Sequence, residues 1–462
     1  MLSDIIAAVS TPRGQGGIAV IRVSGRGAVE LCEKVFRPKS GKKITDYPPR
    51  FSVYGDIFDG KSLIDSGMLT YYLAPKSFTG EDMAEISCHG GYTVTAMVLS
   101  AVLETGARMA EAGEFTKRAF VNDKISLTEA EAIGNILTAE GERAVRLSAR
   151  HADGALKKKT EELSEELISL ISSLYAAIDY PEEDLEDMAD DTLLERIEDI
   201  NGKCKSLIST YKSGHAVAYG INTVIVGKPN VGKSSFFNSL LSAKKAIVTD
   251  IPGTTRDVLE QSVEIDGVIL RLFDTAGIRE DTADEIESMG VDIAKSKISE
   301  NSTELVLALF DLSREIDGSD REMIDYLKEN AEAKIVIPIF TKSDETPLFD
   351  KSFVEKELGE GYTVSSKTGE GIEALKKGVI ERFITEDSAV DNGEVLTNVR
   401  QLTSLKKTVS ALNEAHRLVS DGMKDMGAME LEGALNTLAE IDSRRAMEKV
   451  VNEIFSKFCV GK

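Results

Sequence analysis

The run Gly227-Lys228-Pro229-Asn230-Val231-Gly232-Lys233-Ser234 has the spacing G-x-x-x-x-G-K-[ST], which suits the gripping of a polyphosphate. Its glycines let main-chain N–H groups close around phosphate oxygens, Lys233 neutralises the β- and γ-phosphates, and the Ser234 hydroxyl can ligate Mg²⁺. Ser235 opens the helix expected next, so Asn230 to Ser235 form the phosphate-facing set. Asp274-Thr275-Ala276-Gly277 is a D-x-x-G run, which offers a carboxylate at the magnesium and a glycine N–H near the γ-phosphate. Thr254 and Thr255 lie between the two runs, where a threonine completes the metal shell; Thr255 is the expected Mg²⁺ ligand beside Ser234. Thr341-Lys342-Ser343-Asp344 supplies an aspartate able to accept both N1–H and N2–H of guanine, which selects guanine over adenine. Its first residue is threonine where asparagine is usual. Ser365-Ser366-Lys367 fits the last base-contacting loop.

Hydrolysis needs an oriented water. Many GTPases place a glutamine directly after the D-x-x-G glycine, but that position is Ile278, which cannot hydrogen-bond. Two residues offer other arrangements. Glu287 can act through a bridging water, and Asn230 can ligate a monovalent cation that stabilises charge between the β- and γ-phosphates. On spacing alone the plainer readings are a solvated carboxylate for Glu287 and a loop-stabilising side chain for Asn230.

These motifs require a sheet to hold them. Thr223-Val224-Ile225-Val226 precedes the phosphate loop, Ile269 to Phe273 precedes Asp274, and Ile335 to Phe340 precedes Thr341, with helices between the strands up to about Ile384. This predicts a doubly wound α/β domain over 218–384. On either side the apolar spacing is helical, at Leu163, Leu167, Leu170, Leu174 and Ile178, and again at Val399, Leu402, Leu405, Val409, Leu412, His416 and Val419. Segments 121–217 and 385–462 are therefore expected to pack as one discontinuous helical bundle, with the α/β domain inserted in it. Residues 1–120 read as a mixed α+β domain, with β-branched runs such as Ile18 to Val23 and turns at Gly14, Gly16 and Gly17.

The 462 residues carry a net charge of -23, which argues against indiscriminate nucleic-acid binding. Residues 1–126 hold 15 Lys+Arg against 14 Asp+Glu, a balance of +1, and the remainder holds -24. Any anionic partner is repelled least by the N-terminal region. Cys32, Cys88, Cys204 and Cys459 have no C-x-x-C spacing, so neither a disulfide framework nor a zinc site is suggested. No apolar run reaches the ~18 residues of a membrane span and no signal peptide is evident, so a cytoplasmic protein that does not enter the membrane is expected.

Beyond these readings, the chain resembles the MnmE (TrmE) family of GTPases that act in tRNA wobble-uridine modification. The resemblance is carried by Thr11-Pro12-Arg13-Gly14-Gln15-Gly16-Gly17-Ile18, Ser77-Phe78-Thr79-Gly80-Glu81-Asp82, Gly113-Glu114-Phe115-Thr116-Lys117-Arg118 and the ending Phe458-Cys459-Val460-Gly461-Lys462. Within the α/β domain it is carried by Thr249-Asp250-Ile251-Pro252-Gly253-Thr254-Thr255-Arg256-Asp257. It implies a multidomain α/β chain with a Ras-like P-loop GTPase domain, a K⁺ site made by Asn230, Thr249, Ile251 and Thr254, and Glu287 as catalytic glutamate. It further implies a one-carbon tetrahydrofolate such as 5-formyltetrahydrofolate, bound in the N-terminal domain by Arg22, Glu85, Lys124 and Lys462. Without the resemblance, Arg22 and Lys124 read as surface charges and Glu85 as a strand-edge carboxylate. Cys459 becomes a candidate thiol near the modification chemistry. The terminal tail would then have to reach a folate domain, expected to be that of another subunit. Ala112 stands where the family usually has proline, a change expected to touch no proposed contact.

The implied partners are tRNA, a second copy of the chain through the N-terminal domains and transiently through the G domains, and a FAD- and NADH-dependent MnmG-type protein in a heterotetramer. The added group is of the carboxymethylaminomethyl type, at C5 of the wobble uridine. The rival reading is a ribosome-assembly or RNA-chaperone GTPase. Such factors usually add a basic RNA-binding module, which this acidic chain lacks, and it carries the N-terminal and terminal motifs instead.

Overall fold

The computed structural model describes residues 4–12, 14–180, 189–241, 260–273, 298, 300, 302–331, 333–385, 387–442, 448–456 and 458–461. The chain divides into two compact units, residues 1–134, 151–201 and 404–462 in the first and 135–150 and 202–403 in the second. The helical segments expected on either side of the α/β domain are thus each shared between the two units.

The first unit is organised on a seven-stranded sheet. Its strands are β1 (Ile6–Val9), β2 (Ile18–Ser24), β3 (Phe36–Pro38), β4 (Val53–Asp59), β5 (Ser62–Tyr72), β6 (Met83–His89) and β7 (Arg108–Met109), in the order β3-β4-β5-β6-β2-β1-β7. Every pairing is antiparallel except β1 with β7. Alternation along β2 and β6 sends Ala19, Ile21, Val23, Ala84, Ile86 and Cys88 inward, where helix Tyr92–Glu104 supplies Val98, Ala101 and Val102. The other face of the same two strands carries Ile18, Val20 and Arg22 opposite His89, Ser87 and Glu85. β6 lies between β2 and β5, so Glu85 is an interior-strand residue and not at a sheet edge.

Helix Ala155–Asp179 buries Leu163, Leu167, Leu170 and Leu174 and packs along helix Lys424–Ala439. Of the stripe expected from Val399, Leu405, Leu412 and Val419 are buried on helix Val399–Ser420, and the buried face widens to include polar residues. Val399 is 62% exposed, whereas Gln401, Ser404 and Thr408 are buried with Leu405, Leu412, Leu418 and Val419. Hydrogen bonds admit these polar residues: Gln401 accepts the Thr397 N–H at 2.9 Å, and Thr408 shares a 2.9 Å bond with Thr437.

The second unit holds a six-stranded sheet of β8 (Ile221–Gly227), β9 (Glu260–Ile265), β10 (Val268–Phe273), β11 (Leu305–Asp311), β12 (Ile335–Thr341) and β13 (Tyr362–Thr363), in the order β13-β12-β11-β8-β10-β9. All pairings are parallel except the β9–β10 hairpin. β11 is buried along its whole length, as expected of a strand covered on both faces. One face packs Ile225, Leu307 and Ile339 with Phe236, Leu240 and Val379, and the other packs Val306, Ala308 and Phe310 with Ile324 and Leu327. The doubly wound arrangement is therefore present. No helix among the described residues is long and apolar enough to cross a membrane.

Candidate functional site

The phosphate loop joins the end of β8 to helix Lys233–Leu241. Asn230 and Gly232 take φ of 61° and 94°, which turns successive N–H groups inward. The Lys233 ammonium lies over the loop and donates to the carbonyls of Gly227 and Lys228, each at 2.9 Å. Ser234 and Ser235 are exposed at the first turn of the helix, with the Ser234 hydroxyl open to a cation. The exposed Asn230 likewise offers its amide oxygen to solvent. Lys228 is pinned by Asp317 and, at 2.6 Å, by Asp320 at the start of helix Gly318–Asn330.

Thr341 ends β12 and is buried. Its hydroxyl lies 2.8 Å from the Val231 carbonyl and 3.1 Å from that of Phe310, so it ties the base-reading strand to the phosphate loop. The threonine hydroxyl thus supplies this tie at the position where asparagine is usual. Lys342, at φ 61°, donates to Asp311 at 2.6 Å. Asp344 accepts from Ser365 Oγ at 2.6 Å, and Ser365 in turn accepts the N–H groups of Lys367 and Thr368. The Ser365 hydroxyl, with Asp344's own N–H and the Lys367 charge, holds the Asp344 carboxyl below the usual carboxylate range. It is therefore an ionised acceptor, as two guanine N–H donors require. Ser366 sits between these anchors in the same loop. Thr249, Asp250, Ile251, Pro252, Gly253, Thr254 and Thr255 lie outside the described residues, as do Asp274, Thr275, Ala276, Gly277 and Glu287.

In the first unit, Arg22 and Glu85 face each other across β2 and β6 and pair at 2.9 Å. The Arg22 guanidinium lies 5.4 Å from the Phe78 ring centroid and 5.7 Å from that of Phe115. Tyr72 donates to Glu85 at 3.4 Å. The distant sequence motifs converge here. Arg118, 1% exposed, bonds Asp4, Glu81 and Glu114, while Ser24 bonds Thr79 and Glu81. Burial opposes the charge on Glu114, but hydrogen bonds from Arg108, the Glu111 N–H and Arg118 outweigh it and lower its pKa. Lys124 is exposed, with its stem 3.2 Å from where a Cβ on Gly80 would stand, and it lines a cavity of ≈ 550 Å³ that also includes Lys157 and Asp442.

The tail corrects the expectation of a second subunit. It reaches the N-terminal sheet of its own chain: Val460 bridges Ala112, Gly113 N–H donates to the Cys459 carbonyl at 3.4 Å, and Ser10 donates to the Gly461 carbonyl at 2.9 Å. Ala112 thus pairs with Val460, which is not one of the proposed contacts, and Lys462 lies outside the described residues. Of the four cysteines only Cys459 is exposed; burial pushes the Cys32 and Cys88 thiols up to about 12 and about 11.

The sequence reading missed Asp311, Asp317 and Asp320 as lysine anchors, and Phe78, Phe115 and Tyr72 around Arg22 and Glu85. It also missed Asp442, which accepts from Thr128, from Thr160 at 2.7 Å and from Ser126 at 3.3 Å. Only Phe78 and Phe115 carried a signal, since both fall within motifs singled out above.

Two family models match the chain, the MnmE helical domain over residues 127–459 and the GTP-binding protein TrmE N-terminus over residues 5–124. The tRNA modification GTPase MnmE of Clostridioides difficile (strain 630) is 39% identical over 465 residues. That of Carboxydothermus hydrogenoformans is 38% identical over 466 residues, and both alignments cover 100% of each chain. Among solved structures, the G domain of the T. maritima FeoB iron transporter is similar at 28% identity and a TM-score of 0.26, over 35% of this chain and 97% of that one.

Proposed function

Because the chain belongs to the MnmE family of tRNA modification GTPases, we propose that its GTPase cycle serves the modification of the wobble uridine in certain tRNAs. It binds and hydrolyses GTP. The observation that carries this is the joining of phosphate loop and base reader through Thr341 and Val231, with Asp344 held as a carboxylate by Ser365. Ser234 and Thr255 would hold Mg²⁺, and Asn230, Thr249, Ile251 and Thr254 a K⁺ ion that orders the switch and brings two G domains together. Asp250, Pro252, Gly253, Thr275 and Ala276 would complete the nucleotide's surroundings, and Glu287 would orient the attacking water.

In this reading the product is a carboxymethylaminomethyl-type group on C5 of uridine. It is made with a FAD- and NADH-dependent MnmG-type partner in a heterotetramer of homodimers. The Arg22–Glu85 pair fits a one-carbon tetrahydrofolate, because a carboxylate can pair with the amidine-like edge of a pterin and a guanidinium suits a formyl oxygen or carboxylate. Lys124 and Lys462 would serve the anionic glutamate end, and Cys459 would stand near the chemistry at the mouth of the same domain. Working boundaries are a folate and dimerisation domain over 1–120, helical segments over 121–217 and 385–462, and a G domain over 218–384.

The test is mass spectrometry of tRNA nucleosides from cells lacking the protein. Loss of the wobble modification is expected. An unchanged nucleoside profile would return the reading to a ribosome-assembly or RNA-chaperone GTPase. GTP hydrolysis should fall when Na⁺ replaces K⁺, and an equal rate in both salts would remove the cation site.

A further inference from the structure

Four residues along from Arg22 and Glu85, the same two strands end in a second pair on the same sheet face, Ile18 opposite His89. At ~3.3 Å per residue the two pairs are roughly 13 Å apart, with Val20 and Ser87 between them. Ile18 is 68% exposed and the His89 side chain 75%, yet the imidazole is held firmly. The half-buried Asp65 takes the His89 backbone N–H at 2.8 Å and its Nδ1 at 2.7 Å. A carboxylate on Nδ1 selects the tautomer with the proton there and leaves the Nε2 lone pair facing outward as an acceptor.

Beside this pair the main chain is exposed at Gly16 and Gly17 and partly exposed at Gly91, while Gly90 is buried. Gly16 N–H donates to the Gly90 carbonyl at 3.1 Å, and Gly90 packs so closely on Gly16 that no side chain would fit. Gly17 and Gly91 are different: neither has a positive φ, and a Cβ on either would meet nothing within 4 Å. Gly91 is the N-cap of helix Tyr92–Glu104, a position that favours glycine, whereas at Gly17 neither backbone conformation nor packing within the chain requires it. The missing side chain at Gly17 leaves the backbone there open to the close approach of a bound molecule.

We propose that this patch seats the pyrimidine to be modified, with Ile18 against the ring face and His89 Nε2 accepting the uracil N3–H. Uracil presents one ring N–H between two carbonyls, so an outward acceptor flanked by uncovered main chain matches its edge, whereas N3 of cytosine carries no hydrogen. The inference rests on the tRNA-modification reading and extends it. A base at His89 and a pterin at Arg22–Glu85 lie along one sheet face, and the length of a fused two-ring system covers most of the gap between them. Asp65 is the positioning residue that fixes the histidine tautomer.

The test uses the full chain, alone and with its flavin-dependent partner, and tRNA carrying 4-thiouridine only at the wobble position. Irradiation followed by peptide mass spectrometry should place the cross-link on the segment holding Ile18 or on that holding His89. A cross-link elsewhere in the chain would overturn the site while leaving the tRNA reading in place. Failure of the protein to retain tRNA with or without the partner would overturn both. His89→Ala and Asp65→Asn should each lower the yield about 10-fold. The asparagine keeps the size of the carboxylate but offers an N–H to Nδ1, which moves the imidazole proton to Nε2. An N3-methyl group on the uridine should cost wild type about the same factor and His89→Ala nothing further. A methylated uridine that cross-links to wild type in undiminished yield would remove the acceptor role. Unaltered melting of the two variants separates lost contact from lost fold.

Discussion

The nucleotide loops and the Arg22–Glu85 site are built in opposite ways. Each described nucleotide element is a contiguous run at the C-terminal end of a parallel-paired strand of one sheet: Gly227 to Ser234 after β8, Thr341 to Asp344 after β12 and Ser365 to Lys367 after β13. The N-terminal site joins residues 63 apart through strand register, and the tail that approaches it bonds across 451 residues from Gly461 to Ser10. A loop that works through backbone conformation imposes its glycines and lysine on neighbouring positions. A site that works through pairing leaves no local pattern, because its spacing is set by whatever lies between the strands.

This contrast can be broken by experiment. Lys233→Ala should reduce GTP hydrolysis by at least about 100-fold, read as phosphate release, since one preorganised charge on the phosphates is lost. Tetrahydrofolate binding by equilibrium dialysis should persist in that variant; joint loss would mean the sites are not built separately. Glu85→Ala is the mirror experiment. It leaves the Arg22 guanidinium without its carboxylate beside Phe78 and Phe115 and should weaken tetrahydrofolate binding about 10-fold or more, with GTP hydrolysis retained. Thr341→Ala comes next. It removes the bond to the Val231 carbonyl and should weaken GDP and GTP alike by about 5- to 10-fold, and Thr341→Asn should recover most of the loss.

How much of each region was legible follows from the same physics. The doubly wound sheet was readable because β8, β10 and β12 are apolar runs ahead of phosphate-, magnesium- or base-binding signals, and Thr341 announced itself by departing from a pattern. Its tie to Val231 was not readable, since nothing in the sequence says which carbonyl a buried hydroxyl will meet. Arg22 and Glu85 were found only through family resemblance, and reading Glu85 as an edge residue failed because sheet order is not encoded locally. The expectation that the tail reaches another subunit came from the folate contact implied for Lys462, and nothing local in its last residues says which copy of the domain it meets. The Ala112–Val460 bridge that brings it home is a single long-range pairing.

The smallest effect expected falls at the far end of the nucleotide sheet, where that unit is assembled the way the N-terminal one is. Glu304 precedes β11 and accepts the Asn222 N–H at 3.1 Å at the start of β8, with His215 Nε2 4.0 Å away. Burial raises its pKa, and the Asn222 N–H and the charges of His215 and Lys212 do not fully offset this. A carboxyl whose folded pKa lies above its unfolded value, ~4.3, adds stability that is fully present below that unfolded value. That contribution is lost as pH rises through the folded value. At pH 8 the charged side chain is therefore a burden. Glu304→Gln keeps an oxygen for Asn222 and removes the charge, so its melting temperature should exceed that of wild type by a few degrees, ~2–4 °C, at pH 8 and by less at pH 5. A larger gain at the lower pH would reverse the sign of the argument. It would show that the base of the nucleotide sheet depends on an ionised Glu304 paired with His215 and Lys212, a dispersed charge site comparable with Arg22–Glu85 in the N-terminal unit.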